Sequence, residues 1–126
     1  MAKIFLAIAA ILAGLGVAAG AFGAHALKDQ LTEKALATFE TGVKYQMYHA
    51  LALFGVAILL NQVETVSTNL LTTTGIAFIV GIAIFSGSLY ALSFTGIKIF
   101  GAITPIGGVA LLVGWGCLAG AALKGL

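Results

Sequence analysis

The chain has 126 residues, 61% of them hydrophobic and only 8% charged, with a net charge of +2. A soluble domain carries about 25% charged residues, and one this apolar would expose aggregating patches, so the composition excludes an ordinary soluble domain and calls for lipid as solvent. All six cationic side chains are lysine, and without arginine to fork onto phosphate or base edges a nucleic-acid partner is not expected.

The first uncharged stretch is Ile4–Ala24. A helix needs about 20 residues to cross the hydrocarbon core, and this stretch is long enough. Lys3, the apolar run and Ala24-His25-Ala26 also resemble a secretory signal with its cleavage site. Gly16-x-x-x-Gly20 makes a retained, packed span the better reading.

The connector that follows holds most of the charge: Lys28, Asp29, Glu33, Lys34, Glu40 and Lys44. Within it Leu27, Leu31, Leu36, Phe39, Val43 and Met47 recur at helical spacing. Thr32 suits an N-cap, Glu33 suits the first turn, and Glu40 and Lys44 stand in the favourable order for a helical pair. An amphipathic helix at the membrane surface is expected over 32–44, between spans one and two, weakened only at Gly42 and able to run on into the next span.

The second span is expected over 45–63, with Gln46, His49, Asn61 and Gln62 crowding its ends. The third is expected over 70–92 and the fourth over 102–123. Short connectors around Glu64 and Lys98 make these neighbours antiparallel. Thr104 and Pro105 read as the cap and first position of the fourth helix. The expected fold is therefore an all-α membrane protein, a four-helix transmembrane bundle forming one domain over 1–126. Membrane strands, which alternate over about ten residues, do not fit these runs.

With four spans both termini share a side with Lys3 and Lys124, while Lys28, Lys34, Lys44 and Lys98 share the other. Lysine-rich loops stay in the cytoplasm, so the termini are expected outside.

Small residues four apart let helices approach closely. Gly16 and Gly20 in the first span, Gly87 with Ala83 and Ala91 in the third, and Gly116 and Gly120 in the fourth form such rows. They serve either packing within the bundle or a homo-oligomer interface.

The polar residues inside apolar runs are the candidates for function. Tyr45, Gln46 and His49 share a helix face, with Glu40 a turn or more before them. His25 and His49 are the only histidines, and a metal site needs three or four ligands in suitable geometry. No metal or cofactor is expected. His49 reads as bonded to a carbonyl or a neighbour, with proton handling the sharper alternative. Ser86, Ser88, Tyr90 and Ser93 cluster late in the third span, but no base or acid stands near to make a nucleophile. Cys117 is the sole cysteine and reads as a small packed residue. No catalytic set is visible, and an enzyme is not expected.

Together, Gly20-Ala-Phe-Gly-Ala-His-Ala-Leu27, Thr41-Gly-Val-Lys-Tyr-Gln-Met-Tyr-His-Ala-Leu51, Phe85-Ser-Gly-Ser-Leu-Tyr90, Ile103-Thr-Pro-Ile-Gly-Gly108 and Gly114-Trp115 make the chain resemble the YgdD-like family of small membrane proteins. That family is a bacterial domain of unknown function with a related small transmembrane protein in animals. The resemblance implies a multi-span protein of the bacterial inner or plasma membrane and a retained first span. It implies no activity, and it singles out His25, Tyr45, Gln46 and His49 as parts of the pattern. The expected function is a non-enzymatic membrane component that acts through helix packing or oligomerisation, in contact with membrane lipid. The alternative is a small transporter or channel-like subunit with a polar path near His25 and His49.

Overall fold

The computed structural model describes residues 1–62 and 67–125. Glu64, in the second connector, lies outside them, as does the last residue expected in the second span, Val63. The described residues form four helices and no strand: α1 (Ala2–Phe22), α2 (Glu33–Gln62), α3 (Thr68–Thr95) and α4 (Lys98–Leu123). With its π-helical extension α1 reaches Leu27, and each of the four is long and apolar enough to cross a membrane. Lipid offers no partner for backbone N–H and C=O groups, so each span bonds within itself.

A π-helical turn, Gly23–Leu27, carries α1 past the expected end at Ala24. Gly23 sits there against the Phe39 ring, where a Cβ would fall 2.9 Å from that ring. Thr32 caps α2 by accepting from the Ala35 N–H at 3.1 Å. The helix expected over 32–44 and the span expected over 45–63 are one unbroken helix of 30 residues, about 45 Å long at 1.5 Å per residue. Gly42 does not interrupt it, because the backbone there is packed under the Tyr90 ring.

The start expected for the fourth helix is corrected. Thr104 is not its cap: α4 begins at Lys98, and Pro105 lies inside it. The Thr104 hydroxyl instead donates back to the Phe100 carbonyl at 3.0 Å. A proline in the helix interior removes one backbone bond, which membrane helices tolerate when neighbours support them.

The helices pack in chain order, α1 on α2, α2 on α3 and α3 on α4. Phe5, Leu53, Val56, Leu71 and Phe78 are fully buried between them. The α3–α4 seam has a repeat of seven. Gly107 and Gly114 receive Phe85 and Phe78, a Cβ at Gly114 falling 2.6 Å from the Phe78 ring, and Ala121 at the next sevenfold step is fully buried. Leu111 fills the opposite hollow at Gly81. Large side chains set into glycine holes every seven residues are the packing of helices crossing at about +20°. Ser67 closes the far end, donating to the Ala121 carbonyl at 3.2 Å.

Candidate functional site

Helix α2 presents two buried polar side chains one turn apart, and between them they reach the three other helices. Gln46 is 5% exposed. Its Nε2 donates to the Leu12 carbonyl of α1 at 2.8 Å, and its Oε1 accepts from the Tyr90 hydroxyl of α3 at 2.6 Å. The partners fix the amide orientation, since the carbonyl needs a donor and the phenol an acceptor.

His49 is 4% exposed. Its Nδ1 lies 2.8 Å from the Tyr45 carbonyl one turn earlier. Its Nε2 lies 3.0 Å from the Trp115 indole nitrogen of α4. A carbonyl only accepts, and an indole N–H only donates. Nδ1 therefore carries the proton, Nε2 is bare, and His49 is the neutral Nδ1–H tautomer. Tyr45 stacks over the imidazole at 6.2 Å, while Phe78 and Trp115 meet it edge-on at 5.3 and 5.8 Å.

Two serines extend the network. Ser86 of α3 donates to the Gly42 carbonyl of α2 at 2.7 Å, where the helices approach closely enough that a Cβ at Gly42 would fall 2.8 Å from the Tyr90 ring. Ser88 shares a hydrogen bond of 2.6 Å with Thr104 of α4. Ser93 donates to its own helix at Leu89.

The structure thus brings Tyr45, Gln46, His49, Ser86 and Tyr90 into one region around α2, with Ser88 on the α3–α4 side. It does not bring His25 or Glu40 there. His25 is exposed on the π-helical turn, and Glu40 is exposed on α2. Gly23, two residues before His25, packs on Phe39, and Phe39 stands about 15 Å along α2 from His49. Among the described residues no group of three His, Cys, Asp or Glu side chains is placed to hold a metal.

Trp115, which entered the sequence reading only through the Gly114-Trp115 stretch of the family resemblance, is the partner of His49. An apolar groove of about 610 Å³ opens beside them between α2, α3 and α4, with Tyr48, Pro105, Val109 and Leu112 in its walls. Of the expected packing glycines, Gly16 meets Met47 and Gln46, Gly20 faces Val43 at 3.5 Å, and Gly120 faces Leu70 at 3.8 Å. Gly87 and Gly116 have no neighbour within 4 Å. The tightest glycine contacts of α4, at Gly107 and Gly114, lie on a sevenfold repeat that a search for fourfold rows passes over.

The family described as "Protein of unknown function (DUF423)" matches residues 19–108. That span holds every residue of the network except Leu12 and Trp115. The chain belongs to this family. It is 48% identical over 122 residues to the UPF0382 membrane protein YwdK of Bacillus subtilis, covering 97% of this chain and 98% of that one. It is 43% identical over 122 residues to a UPF0382 membrane protein of Staphylococcus epidermidis, covering 97% of each. To one of Haemophilus influenzae it is 39% identical over 123 residues, covering 95% and 94%. No solved structure matches the chain. With relatives named as membrane proteins and four candidate transmembrane helices, this DUF423 protein is a multi-pass membrane protein. Neither the family description nor the relatives' names state an activity.

Proposed function

We infer that this DUF423 protein is a non-enzymatic component of the bacterial plasma membrane that acts by associating with copies of itself. The observation that carries the reading is the outward row of α4. Leu112 is 70% exposed, and Gly116, on the same row, has open space where a side chain would stand. Small residues on a lipid-facing row let a second helix approach closely. The polar groups that could have done chemistry support the same reading, because Gln46, His49, Ser86 and Tyr90 are engaged in bonds between or within helices.

In this reading the lysine-rich connectors face the cytoplasm and the termini face outside. The first turns of α2, with Glu33, Lys34, Glu40 and Lys44, stand at the cytoplasmic surface as the amphipathic start of a long span. At about 45 Å, α2 exceeds the roughly 30 Å hydrocarbon core and leaves room for them.

Energy transfer between donor- and acceptor-labelled copies in vesicles, followed as lipid dilutes the protein, tests the reading. The wild type is expected to transfer energy well above random proximity. Gly116→Leu is expected to lower that transfer at least threefold with an unchanged unfolding midpoint, because nothing in the monomer occupies that space. A wild type that is monomeric at every dilution contradicts the reading.

A further inference from the structure

A second cavity, of about 500 Å³, lies at the opposite end of the bundle from the chain termini, where the start of α2, the end of α3 and the start of α4 converge. Two charged side chains line it, Lys34 from α2 and Lys98 from α4. The network around Gln46 and His49 uses neither of them. Two cations from separate helices line one cavity, so an anion placed between them would be attracted by both.

The rest of the lining is amphipathic in the manner of a lipid. Thr32 and Thr38 stand on the α2 side, and Ala35, Leu92 and Gly101 supply apolar wall. The Thr38 hydroxyl donates to the Lys34 carbonyl at 3.0 Å, and Ser93 donates to Leu89 at 2.7 Å. With those protons directed at their own helices, the ammonium groups are left to recognise an anion. Glu33 adjoins Lys34 in sequence, but the lining contains no carboxylate. Basic pockets between transmembrane helices at the membrane surface bind anionic headgroups.

We propose that this cavity binds the phosphodiester headgroup of an anionic phospholipid between Lys34 and Lys98. The acyl chains would then run down the bundle past Leu92 and Gly101. Occupancy screens the two lysines from each other and ties the ends of α2, α3 and α4 together.

The test is native mass spectrometry of the full chain released from mixed micelles of phosphatidylglycerol and phosphatidylcholine. The wild type is expected to retain phosphatidylglycerol over phosphatidylcholine. Lys34→Gln with Lys98→Gln is expected to lower that preference by about fivefold for each lysine removed. Both side chains are exposed, so in micelles without phosphatidylglycerol the doubly substituted protein keeps its unfolding midpoint. Lys28→Gln with Lys44→Gln removes the same charge from the same end of the molecule but from outside the lining, and is expected to leave the preference intact. Equal loss in both double variants, or no preference in the wild type, overturns the proposal. So does displacement of the lipid by millimolar inorganic phosphate, which would make the cavity a small-anion site.

Discussion

Gly107→Ala is expected to destabilise the protein by about 3 kcal/mol, the upper end of the overpacking range. A Cβ at this position meets the backbone nitrogen of Phe85 and falls 2.8 Å from its Cα. Backbone inside a helix cannot turn aside as a side chain can, so α3 and α4 must separate along their seam. That separation also withdraws Phe78 from Gly114 and Leu111 from Gly81. The control is Gly87→Ala, where nothing lies within 4 Å. It is expected to be neutral or to stabilise by up to about 1 kcal/mol through helix propensity. Unfolding in mixed micelles by added denaturing detergent, followed by circular dichroism, measures both. Equal effects at the two glycines would show that the seam does not depend on close approach at Gly107.

The second large effect is expected at Gln46. Gln46→Leu keeps the volume but removes the bonds to α1 and α3 together. Interhelical bonds in membranes are worth roughly 0.6–1.7 kcal/mol each, so a loss of about 1–3 kcal/mol is expected. The Leu12 carbonyl keeps its own helical partner, whereas the Tyr90 hydroxyl is left without the acceptor the structure gives it. Tyr90→Phe alone removes one bond. Gln46→Leu with Tyr90→Phe should therefore cost less than the sum of the two, by about 0.6–1.7 kcal/mol. Strict additivity would mean that the two side chains do not interact in lipid.

Much of this architecture was legible in the chain, because the bilayer imposes a simple rule on composition. Spans of about 20 apolar residues without charge can be counted directly, and Thr32 with Glu33 marks a helix start by local chemistry. Gln46 and His49 stood out as polar groups within an apolar run. What they bond to was not legible. Trp115 is 66 residues from His49 in sequence, and Tyr90 is 44 from Gln46. Such pairings depend on how the helices register, which no local pattern states. The seven-residue glycine repeat on α4 was visible but masked by Gly116 and Gly120, whose fourfold spacing resembles the better-known association motif. Pro105 misled for a physical reason. In water an interior proline leaves a helix weakened, whereas a helix held by lipid and by α3 continues through it.

The network makes the DUF423 bundle a structure centred on α2. Gln46 links α2 to α1 and α3, Ser86 adds a second link from α3, and His49 links α2 to α4. A histidine used in this way serves as a fixed bridge, and a histidine that handles protons would have to let go of one partner.

Nitrogen NMR of ring-labelled His49 in lipid bilayers tests that claim most directly. The account predicts two distinct ring resonances, with Nδ1 protonated, Nε2 bare, and a through-space correlation from Nε2 to the Trp115 indole proton. A protonated Nε2, or a single exchange-averaged signal without that correlation, would contradict it.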